Sequence, residues 1–199
     1  MNPSNGPVLS ILTPAVPSRL AQIARLIEHL QKQIGEFPVE HLILIDNKRR
    51  TVGEKRDALL RVARGQYVAF VDDDDWVSND YVEELLKAAA ENPDVITFRQ
   101  ESSINGAKGE IEFGLGNPNE AFVVGGRAKR NAWHVCAWRR SLAILSSFPA
   151  INYGEDWAYA ARLCGLPNLQ SKHLDKVLHF YIHDQRTTEA PPPELTRDN

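Results

Sequence analysis

Four consecutive carboxylates, Asp72 to Asp75, follow directly on the apolar run Tyr67-Val68-Ala69-Phe70-Val71. Adjacent like charges oppose one another's ionisation, so packing alone gives no reason to keep them together, whereas a bound divalent cation reverses the cost. Hard oxygen donors suit Mg²⁺ or Mn²⁺, ions that bind through one or two carboxylates plus substrate phosphates. The plainer alternative is a solvated acidic turn whose charges favour the N-terminus of the next helix.

The elements that must position these acids are legible on either side. Tyr67 to Val71 is β-branched and aromatic and is preceded by Gly65, so it reads as a buried strand. In an open α/β sheet, ligands bind beyond the carboxyl ends of such strands. Upstream, Val8 to Leu12 reads as a strand stopped by Thr13-Pro14. Ser18 offers an N-cap, and Leu20, Ile23, Ile27, Leu30 and Ile34 recur at helical spacing before Gly35. His41 to Ile45 gives a second strand ending at Asp46-Asn47. After the basic turn Lys48-Arg49-Arg50, a helix is expected from about Glu54 to Arg64, with Ala58, Leu59, Val62 and Ala63 inward. Downstream, Asn79 is placed to cap a helix containing Tyr81, Leu85 and Leu86, and Asp94 to Phe98 gives a fourth strand. Alternating strands and helices predict parallel βαβ units: an α/β, doubly wound, mostly parallel sheet with helices on both faces.

Beyond Arg99 the pattern loosens. Residues 102–120, rich in Gly, Asn and Ser, read as a long loop or β-ribbon across the sheet's mouth. A helical stretch from about Arg140 to Leu145, a helix after Glu155-Asp156-Trp157 and a last strand from Val177 to Ile182 form a small second subdomain. Residues 1–99 are thus one half of a single domain and 100–186 the other. The tail at 187–199, with three consecutive prolines, is expected to be disordered.

Composition excludes several classes. A chain of 199 residues with 43% hydrophobic content builds one good core rather than two domains. The net charge of −3 gives no global attraction to nucleic acid or anionic membrane. Cys136 and Cys164 form neither a disulfide framework nor a metal-type pair, and no apolar run reaches membrane-spanning length. With no signal-peptide pattern at the N-terminus, the expectation is a soluble, cytoplasmic protein without a membrane span.

The stretch Tyr67 to Asp75 resembles the acidic DXD signature of family 2 glycosyltransferases with the GT-A type fold. Val52 to Leu59 with Ala63-Arg64-Gly65 resembles the helix before that signature, with Asp57 where the family usually has Asn. Tyr153-Gly154-Glu155-Asp156-Trp157, followed by Arg162, resembles the family's second acidic motif. The resemblance spans roughly Val8 to Arg186 and implies roles, with residues 1–99 as the nucleotide-sugar (donor) binding half and 100–186, with its small acceptor-side subdomain, as the acceptor-binding and catalytic half. The nucleotide of a nucleotide-diphosphate sugar, most simply a UDP-sugar, would lie across the strand ends. Thr13 and Asp46 would touch base and ribose, Asp72 the ribose or base, and Arg56 and Asp73 would complete the donor pocket. Asp74 would hold Mn²⁺ or Mg²⁺ on the diphosphate, where a cation stabilises the leaving group as the glycosidic bond breaks. Asp156 would be the general base, with a helix N-cap as its alternative, and one base without a nucleophile implies inversion.

In the family a late basic or imidazole residue often closes over the diphosphate. His179, Tyr181 and His183 share one face of the last strand, and His183 would complete the metal shell or, with Arg186, neutralise phosphate oxygens. His179 is the lesser candidate. Among the tryptophans only Trp157 is given a functional role, beside Glu155 on the acceptor side. Between Ala121 and Gly154 there is no acid, yet Arg127, Lys129, Arg130, Arg139 and Arg140 fall there among Trp133, His134 and Trp138. Either these cations decorate a solvated surface, or the acceptor is anionic: a phosphate polymer, or DNA carrying a hydroxymethylated base, rather than a neutral glycan. Two rival classes stay open. A nucleotidyltransferase would also use an acidic sheet edge, but usually with a glycine-rich phosphate loop where this chain has Thr13-Pro14-Ala15-Val16-Pro17. A non-catalytic nucleotide-sugar or nucleic-acid binding module would have no need of both Asp74 and Asp156.

Overall fold

The computed structural model describes residues 6–183. In chain order these form β1 (Leu9–Ala15), α1 (Leu20–Ile34), β2 (Val39–Ile45), α2 (Val52–Val62), β3 (Tyr67–Phe70), β4 (Trp76–Val77) and α3 (Tyr81–Ala89). They continue as β5 (Val95–Ile104), β6 (Ala107–Phe113), β7 (Arg127–Arg130), β8 (Ala137–Arg139), α4 (Arg140–Ala143), α5 (Glu155–Cys164) and β9 (Ser171–His183). The sheet runs β2-β1-β3-β8-β5-β6-β7, with β9 against β5 and β4 against β9.

β1 is buried along its whole length because it is flanked by β2 and β3, parallel to both, and covered on both faces. Successive side chains enter opposite cores. Leu9, Ile11, Tyr67, Ala69 and Val71 pack with Leu26 and Leu30 of α1 and Val82 and Leu85 of α3. Leu12, Val68 and Phe70 pack with Leu59 and Leu60 of α2 and Tyr159 and Leu163 of α5. A strand with two apolar faces needs helices on both, which is the layered α/β architecture expected.

The sheet is mixed rather than wholly parallel. The short β8 is antiparallel to both β3 and β5, so β5 returns to the direction of β3 across it. β5 also extends six residues past Phe98 and turns back into β6 through Asn105-Gly106, both at positive φ (51° and 85°), the backbone of a tight two-residue hairpin. The expected ribbon is therefore a hairpin, and the Asn-Gly pair was its signal. β9 starts six residues earlier than Val177 and takes in a bulge against β5 near Arg99.

Local expectations shift where a signal went unread. Thr13-Pro14 does not stop β1. The carbonyl of Leu12 takes the Val71 amide, so Pro14, two residues on, faces the same side beyond the end of β3, where its missing N–H breaks no ladder bond. Ser18 does not cap α1, because Pro17–Arg19 forms a 3-10 turn first; Leu20 is exposed and the inner stripe is Ile23, Leu26 and Leu30. α2 begins at Val52 through a capping box in which Thr51 and Glu54 bond reciprocally. Its inner stripe is Arg56, Leu59, Leu60 and Ala63, and Val62 points outward. At α3 the residue before the helix is Asp80, not Asn79, and its carboxylate pairs with Lys176. Among the described residues no helix is long and apolar enough to cross a membrane.

Candidate active site

The carboxyl ends of β1 and β3 and the N-termini of α2 and α5 surround a cleft of about 400 Å³. Its wall includes Arg19, Lys48, Arg49, Arg50, Lys55 and Arg56 together with Asp72, Asp73, Asp74, Glu155 and Tyr181. Cations for an anionic ligand and acids for a metal thus share one opening.

The four carboxylates of the acid run have four different environments. Asp72 receives both terminal nitrogens of Arg56 at 2.8 and 2.7 Å. Burial pushes its pKa up, but Arg56 outweighs that and holds it below the usual carboxylate range. Asp73 is buried and spends both oxygens inside the protein, one on the Val16 amide (2.9 Å) and one on Arg19 (2.6 Å). It pins the 3-10 turn to the end of β3, which leaves it little capacity for a donor. Asp74 faces the cleft with 31% of its side chain exposed, 3.0 Å from Arg19. Burial, and then repulsion from Asp72, push its pKa up to about 6. Asp75 turns inward, 3.4 Å from the Nε2 of fully buried His179, and accepts the Ile182 amide. Burial and Asp72 raise its pKa well above the ordinary value, while burial takes His179 down to about 3, so the pair is held as acid and neutral imidazole.

Arg56 joins the two acidic motifs. Besides Asp72 it reaches Glu155 at 3.3 Å and lies over the Phe70 ring. Burial disfavours its charge, but Asp72 and Glu155 keep it protonated. Burial raises the Glu155 pKa against the pull of Arg56. One buried guanidinium therefore clamps the tip of β3 to the start of α5, the helix that carries Asp156. That helix is capped by Gly154 in the left-handed conformation (φ 78°), so Asp156 sits in the first turn and is not the N-cap. Its Oδ2 accepts the Trp133 indole N–H at 3.2 Å and lies 3.8 Å from Nδ1 of His134. His134 is buried against Phe70, neither of its ring nitrogens has a hydrogen-bond partner, and burial lowers its pKa to about 4. Trp133 and His134 are the neighbours of Asp156 that sequence reading left among the surface cations; the Trp-His pair ahead of the small Val-Cys-Ala run was the only hint.

Other expected residues fall into place unevenly. Thr13 is fully buried and bonded to His41 (2.9 Å), so its hydroxyl does not reach the cleft; Ala15 and Val16 line it instead. Asp46, at the end of β2, accepts the Arg50 amide on Oδ2, and its buried Oδ1 has no hydrogen-bond partner, lying 3.7 Å from Lys55. His183 stands on β9 with its ring stacked on Tyr181 at 6.4 Å, and His179, the lesser candidate, is the imidazole that meets the acid run. Arg186 lies outside the described residues, as do residues 187–199. Trp76 stacks on His29 and Trp138 is buried, whereas Trp157 is 58% exposed on α5.

The basic stretch is less basic in space than in sequence. Arg127 pairs with Glu110 (3.1 Å) and Glu112 (3.4 Å) of the neighbouring strand β6, and Arg139 with Asp94. Arg130 donates to the Glu120 carbonyl, and the Lys129 amide to the Glu120 carboxylate. The absence of acids between Ala121 and Gly154 is not an absence of acids around it.

The fit of a cation rests on this donor set. Among the described residues no group of three or more His, Cys, Asp or Glu converges into a ready-made shell. One or two cleft carboxylates beside a cationic wall are what an ion needs when substrate phosphates and water supply its other ligands, and of Asp72 and Asp74, both in the lining, Asp72 is already held by two nitrogens of Arg56. Asp74 fits that role.

The sequence pattern of glycosyl transferase family 2 matches residues 26–143, more than half of the chain and inclusive of α2 and the acid run. The chain belongs to that family. Among its relatives within and around the family, the putative glycosyltransferase EpsH of Bacillus subtilis (strain 168) is 24% identical over 169 residues, covering 78% of this chain and 47% of EpsH. The glycosyltransferase GlyA of Streptococcus pneumoniae serotype 4 (strain ATCC BAA-334 / TIGR4) is 36% identical over 83 residues, 41% of this chain and 12% of GlyA. The chain thus spans about half the length of one of these relatives and a small part of the other. The fold is similar to that of S. aureus TarS 1-349 in complex with UDP-GlcNAc, with a TM-score of 0.58 at 15% identity over 94% of this chain and 62% of that one. Glu155, Asp156 and β9 lie outside the stretch matched by the family pattern.

Proposed function

We propose that this chain transfers a sugar from a nucleotide-diphosphate sugar, a UDP-sugar, to an acceptor hydroxyl with inversion at the anomeric carbon. The observation that carries the reading is the Arg56 clamp, which ties the acidic tip of β3 to the helix start bearing Asp156 across one cleft. Cations of the cleft wall, Lys48 to Arg50 with Lys55, suit a diphosphate, and the spare Asp46 Oδ1 suits a donor group of base or ribose. The UDP-GlcNAc bound by TarS favours uridine as the base. Asp74 would hold Mn²⁺ or Mg²⁺, whose chemistry when bound is to stabilise charge on the departing diphosphate. Asp156 takes the proton from the acceptor hydroxyl as its oxygen bonds to the anomeric carbon and the diphosphate leaves from the opposite face. The Trp133 indole orients that carboxylate through Oδ2. Neutral His134 beside it adds no competing positive charge. Family membership favours glycosyl over nucleotidyl transfer.

The cation role is tested by calorimetry with UDP in Mn²⁺. Asp74→Asn should weaken UDP binding by at least about tenfold, a loss of about 1.4 kcal/mol. It should also raise the metal-free melting temperature by a few degrees, because a carboxylate ionised against its environment destabilises the fold above pH 6. Unchanged UDP affinity contradicts the assignment.

A further inference from the structure

Beside Asp156, α5 and the segment before β8 line a second cavity of about 300 Å³. The two cavities are lined by neighbouring residues at the start of α5. Glu155 lines the large cleft, Trp157 lines the small cavity, and between them stands Asp156, bonded to Trp133, another wall of that cavity. A ligand seated there is thus next to the proposed base.

The lining is aromatic and amide and holds no charged side chain. Trp157 is 58% exposed, although a large indole on a helix otherwise packed by Tyr159, Ala160 and Leu163 gains most from burial. Asn119 and Asn131 complete the wall. Their carbonyl oxygens are already used, that of Asn119 by the Asn131 amide (3.1 Å) and that of Asn131 by the amides of Gly116 (3.2 Å) and Ala132 (2.9 Å). Fixing the oxygens fixes the orientation, so each side chain presents its –NH₂ as a donor only. Ala160 and Ala161 add small apolar side chains to the lining. An exposed indole face and preoriented amide donors, without a net charge, match a pyranose: apolar C–H groups on one face of its ring and hydroxyl acceptors around its edge. The guanidinium and ammonium groups that would select a phosphate are elsewhere, and Arg127 and Arg139 are already paired with carboxylates.

We infer that this cavity is a subsite for an uncharged sugar ring of the acceptor, adjacent to the ring whose hydroxyl is glycosylated, so that the acceptor is a neutral glycan of at least two units. The inference rests on the reading of Asp156 as the base. It departs from the anionic acceptor suggested by the run of cations in the sequence.

The test is binding of neutral disaccharides and oligosaccharides (cello-, malto- and chito-series) to the full chain loaded with UDP and Mn²⁺, followed by tryptophan fluorescence and by saturation-transfer NMR. Hydroxymethylated duplex DNA and a polyol-phosphate oligomer are the anionic arm. At least one neutral series should bind, with an affinity that changes by less than about threefold between about 50 and 200 mM salt, where phosphate contacts would cost orders of magnitude. Trp157→Ala should weaken it by about tenfold, the scale of one lost stacking contact. Ala161→Phe, which fills the cavity from an exposed helix position, should do the same, and neither variant should alter UDP affinity. Failure of every neutral series to bind protein that still binds UDP overturns the inference, as does salt-sensitive binding of an anionic polymer that ignores both substitutions. Loss of UDP binding in the wild type would instead overturn the donor-site reading on which it rests.

Discussion

At the level of single residues, four neighbouring aspartates do four things, and their order in the sequence does not say which does what. Asp72 lines the cleft but is locked on Arg56, Asp73 holds a turn, Asp75 faces a buried imidazole, and Asp74 lines the cleft with one ion pair, to Arg19. The chemistry of the stretch was legible because repulsion among adjacent carboxylates demands compensation. Its division of labour depends on Arg19 and Arg56, which arrive from other elements and carry no local signal. The buried Thr13 illustrates the opposite error: a polar residue at a strand end is free for a ligand only if no inner partner is closer, and His41 is closer. The Arg56 clamp yields a prediction of its own. Arg56→Lys keeps the charge but cannot bind Asp72 through two nitrogens and Glu155 at once, so it should lower both stability and transfer. A loss of about 2 kcal/mol or more in urea unfolding is expected, because the substitution leaves a buried acid without its partner. Wild-type stability in that variant would mean the clamp is incidental.

Among the elements, strands and long helices followed from hydrophobic periodicity, while their ends and irregularities followed from turn chemistry. The capping box at Thr51 and Glu54 and the Asn105-Gly106 hairpin were both written in the sequence; β8 was not, since three residues between Cys136 and Arg140 have no period to read. The stripe of α2 misled because its first inward residues are Lys55 and Arg56, which a search for apolar spacing passes over. Where α2 begins, Gly53 has a reason to be glycine that is not conformational. A Cβ there would sit 1.8 Å from the Pro149 carbonyl oxygen, and the Gly53 amide bonds to Ile151. This contact brings α2 against the loop that leads into Gly154 and Asp156. Gly53→Ala must push the backbones apart, at a cost of about 1–3 kcal/mol, and should reduce transfer more than UDP binding. Equilibrium unfolding and UDP calorimetry on the same variant separate the two effects, and an unchanged unfolding midpoint would refute the contact's importance.

For the molecule as a whole, buried histidines set the acid limit of stability. Burial lowers the pKa of His41 to about 4, of His134 to about 4 and of His179 to about 3. A folded-state pKa below the unfolded value of about 6.5 means that each neutral ring adds stability above pH 6.5, and that this is lost as the pH falls toward the folded value. Asp74 and Asp75, raised by burial, act in the other direction and soften the loss. The melting temperature should therefore drop between about pH 6.5 and 4, and His41→Gln, which keeps a partner for Thr13 without a titrating ring, should flatten that drop. Parallel curves for variant and wild type would exclude His41 from it. Whole-molecule charge was the least informative sequence feature, since strand pairing sets Glu110 and Glu112 beside Arg127 from fifteen or more residues away. The central claim, that the cleft holding the acid run ends at the start of the helix that carries the base, is tested most directly by release of UDP from a panel of UDP-sugars in Mn²⁺, with neutral oligosaccharide acceptors, by wild type and Asp156→Asn. The account predicts turnover that EDTA abolishes, slowed by about 10²- to 10⁴-fold in the variant with UDP affinity unaltered. An Asp156→Asn enzyme within about tenfold of wild type would contradict it.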